Sequence, residues 1–355
     1  MAVLRDHAGV PTSSPIGPSR QPTTRPVMKQ VADRAGVALS SVSRVLSGHP
    51  DVSAVMRNRV LDAVATLGYE PDRLAQSLRT GASMSVGVVV GDISNPLMAQ
   101  IVLGAEMRLR DGGYSALLTN SGSDPRLDVE HLRLLQQRRV DGMLLSLSDE
   151  EDTGVAEAVE RLDVPAVLID RQLSGQALAA ALSDHSPGIQ AAAKELATLG
   201  HRRVGLVNGS PRVRPSRERA TALRKVCRAT PMQCRIRAAA YTAEHGYQAT
   251  LDLMRVTDAP TALIAGGNQI LVGVLRALSE LSLTVPYDVS LITCDDVPLA
   301  NYLDPPIATI SRDPRELGRV AAELLLEQLH GGPARSQSLP TTFTKTNSVR
   351  PPRTA

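Results

Sequence analysis

VADRAGVALSSVSRVL, residues Val31 to Leu46, carries two short apolar stripes on either side of a glycine. Val31 and Ala35 are four apart on one helical face, and Val42, Val45 and Leu46 repeat that spacing after Gly36. Glycine takes positive φ without steric penalty, so Gly36 marks where one helix stops and the chain turns. The spacing predicts helices over about 28–35 and 39–46. A third follows in DVSAVMRNRVLDAVATLGYEP, with Ser53 as N-cap and Val60, Leu61 and Val64 as its apolar stripe. Gly68 and Pro71 end it. Helix, glycine turn, helix and packing helix outline a helix-turn-helix domain. In such a domain the second helix enters the major groove, with its first turns on base edges. Here those positions are Leu39, Ser40 and Ser41, then Ser43 and Arg44. Small residues allow close approach, hydroxyls can meet bases or phosphates, and arginine can read guanine or grip phosphate. The pattern alone leaves DNA binding open, because residues 27–83 hold seven basic against five acidic side chains.

The rest of the chain bounds the reading further. Its 355 residues imply two or three domains. A net charge of +3 neither demands nor excludes a nucleic-acid partner. Cys227, Cys234 and Cys294 are an odd set without CxxC spacing, which reads as three reduced thiols in a cytoplasmic protein. Residues 1–26, rich in Pro, Ser, Thr and Arg, read as a disordered leader rather than a signal peptide. No apolar run is long enough for a membrane span. PDRLAQSLRTGASM has too few apolar residues for its own core and reads as a linker that needs a partner to order it. From Ser85 onward, apolar β-branched runs such as SVGVVVGDI, DGMLLSLS and PAVLID alternate with helical patterns. The alternation resumes after GIQAAAKELATLG with RRVGLVNG, AAAYT, TALIAGG and VSLITCDD. Two doubly wound α/β units in series are expected.

Val31–Leu46 and the following VSAVMRNRVLDAVATLGYEPDRLAQSLRTG resemble the DNA-binding head of the LacI/GalR family of transcriptional repressors. The resemblance runs on through VGVVVGDISNPL, RRVDGMLLS, VLIDR, LGHRRVGLVNG, VPYDVSLITCDDVPLA, PPIATI and ELGRVAAELLL, covering about 27–345. It implies a helix-turn-helix head (27–71), a hinge helix and linker (72–84), and a periplasmic-binding-protein-like core (85–355). The core would divide into one subdomain of about 85–170 and 312–341 and another of about 171–311 and 342–349. It further implies a cytoplasmic, nucleoid-associated regulator, expected to act as a repressor, that binds a near-palindromic double-stranded operator as a homodimer. The hinge helix would set Leu78 as a wedge in the minor groove, beside Ala75 and with Arg79 on phosphate. A small-molecule effector would lie between the subdomains, against Leu97, Met98, Asp149, Arg219, Asn268 and Asp295. No cofactor, metal, catalytic residue or membrane contact is implied.

The chain also departs from the family. Ala38 stands where relatives usually carry a serine N-cap, which costs the second helix about 1 kcal/mol unless Ser40 substitutes. Aliphatic Leu97 and Met98 stand where sugar-binding relatives often have aromatics, and Asn268-Gln269 replaces Asn-Asp. With no Trp and one Phe, ring stacking is scarce, which argues against a simple hexose. The stretch 212–237 holds nine basic side chains against Glu218 alone. It is either a solvated face or a draw for an anionic effector at Arg219, assisted by Arg217 or Arg214, so the expected effector is an anion or a sugar derivative. An enzyme finds no support in phosphate-loop or dinucleotide motifs, nor in the scattered histidines. A secreted solute-binding protein would share the core but not the head, and a repressor that no longer senses a ligand stays open.

Overall fold

The computed structural model describes residues 26–46, 49–69, 82–175, 177–295 and 298–353. A head up to Thr80 and a core from Gly81 form two compact units. In the head, α1 (Met28–Ala35), α2 (Leu39–Leu46) and α3 (Ala54–Leu67) enclose Val31, Ala35, Val42, Val45, Val60, Ala63 and Tyr69. Gly36 takes φ 61° and returns its N–H to the last carbonyls of α1. From α3, Arg59 Nη2 donates to Ala35 O at 2.5 Å, so a cation closes the negative end of α1. Ser53 Oγ accepts from Met56 N at 3.3 Å, the cap expected of it. Leu61 corrects the expected stripe. It is half exposed because it stands about 100° round the helix from Val60, and Ala63 takes the inward place.

The core is built on two six-stranded sheets. The first comprises β1 (Ser85–Val90), β2 (Ser115–Asn120), β3 (Gly142–Leu145), β4 (Ala166–Ile169), β5 (Ala179–Asp184) and β11 (Gln337–Pro340), all parallel in the order β11-β5-β4-β3-β1-β2. The second comprises β6 (Arg203–Asn208), β7 (Gln233–Ala238), β8 (Ala262–Ala265), β9 (Ser290–Cys294), β10 (Ala308–Ser311) and β12 (Thr342–Thr344), in the order β12-β10-β9-β8-β6-β7. Only β12 runs antiparallel. Central strands such as β3, β4 and β8 are buried throughout, as uninterrupted apolar runs must be when helices cover both faces. Around the first sheet lie α4 (Pro96–Asp111), α5 (Pro125–Gln137), α6 (Thr153–Glu160) and α12 (Pro314–Leu329). Around the second lie α7 (Ser186–Thr198), α8 (Arg214–Arg228), α9 (Ala243–Met254) and α10 (Asn268–Glu280), with α11 (Pro298–Tyr302) beyond β9.

In the core, two expectations are corrected. The expected subdomain boundary at 171 falls too early, because β5 pairs with β4 and β11 inside the first sheet. The chain therefore leaves that sheet at His185, returns to it at Arg312–Asp313, and crosses again at Thr341. The expected strand AAAYT lies beyond β7 except for Ala238, the last residue of that strand. QCRIRA is the strand instead, a half-exposed edge whose charged residues hide its apolar alternation.

Candidate functional site

In the head, α2 presents Leu39, Ser40 and Arg44 to solvent, with Ser41 and Ser43 half buried, while Val42 and Val45 anchor the opposite face. Three of the five expected readers are thus exposed, and Ser41 and Ser43 stand at the margins of that face. The helix starts at Ala38, whose carbonyl accepts from Ser41 N (2.9 Å) and Val42 N (3.2 Å) and whose methyl offers no cap. Ala75, Leu78 and Arg79 lie outside the described residues.

In the core, a cleft of about 620 Å³ opens at the carboxyl ends of both sheets' strands, the place where open α/β sheets bind solutes. All six expected residues line it: Leu97, Met98, Asp149, Arg219, Asn268 and Asp295. Leu97 and Met98 sit on the first turn of α4, which Asn95 caps by accepting from Leu97 N at 3.0 Å. Asp149 follows β3, Arg219 projects from α8, Asn268 opens α10 and Asp295 follows β9. Arg219 is buried and donates through Nη1 to Gly266 O (2.5 Å) and Tyr241 OH (3.2 Å). Its Nη2 is 3.9 Å from Asp295.

Among the lining residues that the sequence reading did not name are Asp170, Tyr241 and Arg312. Asp170 follows β4 at φ 52°, and Asp295 stands at φ 73°, a left-handed backbone that aspartate tolerates better than most residues. Arg312 Nη1 donates to Asp170 Oδ2 (2.5 Å) and Ser183 Oγ (3.1 Å), and Nη2 lies 3.5 Å from Asp295. Burial raises the Asp170 pKa, but Arg312 and hydrogen bonds outweigh it and hold the carboxyl well below the ordinary range. His185 Nε2 is 3.1 Å from Arg312 Nη1; a guanidinium only donates, so the ring nitrogen accepts. Burial, then repulsion from Arg219, push His185 down to about 4, so the ring is neutral at pH 7. Among the described residues, Arg219 Nε, Arg312 Nε and Ser146 Oγ are buried without a hydrogen-bond partner, which leaves polar capacity at the cleft wall.

The basic stretch 212–237 is not a free positive patch. Arg212 pairs with Asp149, and Arg217 with Glu150. Arg214 pairs with Asp170 at 3.3 Å and also with Glu218. Arg235 pairs with Asp258, while Arg224, Lys225 and Arg228 lie on the exposed face of α8.

Residues 27–72 match the family of bacterial regulatory proteins, lacI family, and residues 193–349 match a periplasmic binding protein-like domain. A repressor of Haemophilus influenzae (strain PittEE), the HTH-type transcriptional repressor PurR, is 30% identical over 306 residues, covering 85% of this chain and 90% of that protein. The chain belongs to the LacI family. This LacI-family regulator is also 28% identical to the ribose operon repressor of Haemophilus influenzae, over 85% of the chain and 91% of that protein. Its fold matches the Lac repressor dimer bound to operator and an anti-inducer with a TM-score of 0.82, at 28% identity, over 92% of this chain and all of that one. A LacI-family regulator of Enterococcus faecium with bound ribose matches with a TM-score of 0.67 at 25% identity, over 76% of this chain and all of that one. The regulator is accordingly a DNA-binding transcription factor of helix-turn-helix head and two-sheet core. Among its described residues, no helix is long and apolar enough to cross a membrane.

Proposed function

We propose that this LacI-family protein represses transcription from a near-palindromic operator as a cytoplasmic, nucleoid-bound homodimer. Leu39, Ser40, Ser41, Ser43 and Arg44 read each half-site, and Ala75, Leu78 and Arg79 engage the minor groove between them. A neutral, hydrogen-bonding solute, a sugar derivative or a molecule of similar polarity, controls it from the cleft. The observation that carries the effector class is the matching of charge inside the cleft. Asp92, Asp149, Asp170 and Asp295 line the cleft with Arg171, Arg219 and Arg312, and Asp170 and Asp295 already hold the two buried arginines, so an anion there would have to displace carboxylates already in place. This favours the sugar derivative over the anion, the two classes left open by the basic stretch. The same pairing supports a binding role without chemistry, because carboxylates held by guanidinium groups make poor general bases.

Arg44→Ala tests the groove reading once bound sites have been mapped across the genome. Fluorescence anisotropy on the mapped operator should show a loss of at least about 1–3 kcal/mol of specific binding, with non-specific binding reduced far less. Equal affinity of variant and wild type for the operator would refute the assignment.

A further inference from the structure

Glu150 has no place in the effector set, yet its side chain is 2% exposed and all its bonds cross the cleft. It lies in the loop between β3 and α6, on the first sheet's side. Opposite it, α8 of the second subdomain begins at Arg214 behind Val213, an N-cap residue whose side chain can accept nothing. The first amides of such a helix are orphan donors at the positive end of its dipole. Glu150 Oε1 accepts from Arg214 N at 2.9 Å, Oε2 pairs with Arg217, and the Glu150 N–H donates to Arg212 O at 3.1 Å. Beside it, Asp149 takes the Arg212 guanidinium. On the other lip, Asn268 Nδ2 donates to Asn95 Oδ1 (2.7 Å) and Gln269 Nε2 to Asp92 Oδ2 (2.8 Å).

We infer that Glu150 is a positioning residue that closes the effector cleft by capping, from the facing subdomain, the helix that carries Arg219. A buried carboxylate needs partners, and an uncapped helix start needs an acceptor. Each meets the other's need only when the two subdomains are together. Closure and the order of the first turns of α8 are therefore one event. The protein's own side chains hold the closed form, and an effector must pass lips already tied. The inference rests on the cleft being the effector site, but its test uses neither effector nor DNA.

Hydrogen exchange on the full chain reads both sides of the contact. In Glu150→Ala the amides of Arg214, Ser216 and Arg217 should exchange about tenfold faster than in wild type, the size of a lost cap. The amide of residue 150, bonded to Arg212 O, should rise with them. Glu150→Gln, which keeps an acceptor oxygen, should restore most of the protection, and Glu151→Gln, an exposed neighbour only 3.8 Å from Arg212 and 4.0 Å from Arg217, should change exchange far less than Glu150→Ala. A rise confined to α8 would mean simple fraying and overturn the inference, as would unchanged exchange or an equal effect of Glu151→Gln. If Glu150→Ala does not fold, Arg217→Gln, at a half-buried position, should raise the same two peptides about threefold. No rise there overturns it too. A cleft that binds no solute would sink the proposed effector and leave this contact standing, whereas unchanged exchange would do the reverse.

Discussion

His185 shows how much a single residue's chemistry depends on distant partners. Its ring lies beside Asp170 and under the Arg312 guanidinium, where the chain first leaves the first sheet. Burial is the larger cause and Arg219 the next in lowering its pKa from 6.5 to about 4. Between those values the unfolded chain binds a proton that the folded core refuses, so stability rises with pH across that window. The contribution is complete above about pH 6.5 and is lost as pH falls toward 4, a change on the order of 3 kcal/mol. His185→Asn, which keeps an acceptor for Arg312, should show a smaller fall in the melting temperature of the core between about pH 7 and about pH 4.5 than wild type does. Equal falls would refute the assignment of that acid sensitivity to His185. The sequence shows a histidine after a strand-like run. It does not show the three side chains, from positions 170, 219 and 312, that set its protonation.

Among the elements, helix pairs in both subdomains meet through glycine. On the first side, α4 and α12 pack where a Cβ on Gly318 would stand 1.9 Å from Ile101 O, and one on Gly104 2.0 Å from Arg315 O. On the second, Gly273 and Gly246 allow the same approach between α10 and α9, at 1.9 Å from Ala243 O and 2.4 Å from Ile270 O. Backbone atoms cannot rotate aside, so a methyl at Gly318 forces the helices apart. Gly318→Ala should cost about 3 kcal/mol, seen as a drop of roughly 6–12 °C in the core's melting temperature. A change within about 1 °C would contradict the close approach. Element positions were largely legible, since the predicted bounds of α1 and α2 coincide with the observed ones. β5 was not legible. ALAAALSD is mostly small residues with neither a β-branched run nor alternation, and it becomes a strand because β4 and β11 offer ladders on both sides.

For the whole molecule, the decisive function is coupling between cleft and operator. A neutral polyol or sugar derivative that binds the core in calorimetry should shift operator affinity about 5–150-fold, whichever the direction. Phosphorylated and carboxylated analogues should bind at least about tenfold more weakly, because the arginines they would seek are already paired. Tight binding of such anions alone, abolished by Arg219→Ala, would reverse the effector class. By itself the sequence determined the helix-turn-helix head and the alternating α/β core, and its ordered motifs, through the resemblance they carry, placed six residues that line the cleft. Those follow from local periodicity, caps and ordered motifs that need no knowledge of distant partners. Only the tertiary structure decided that the arginines of the basic stretch nearest the cleft are paired, that Asp170 after β4 and Arg312 at a crossing between the sheets join the cleft, and that Glu150 caps α8. Each of these is a pairing between residues dozens to more than a hundred positions apart, and a charge written in the sequence has no sign of its environment until its partner is beside it.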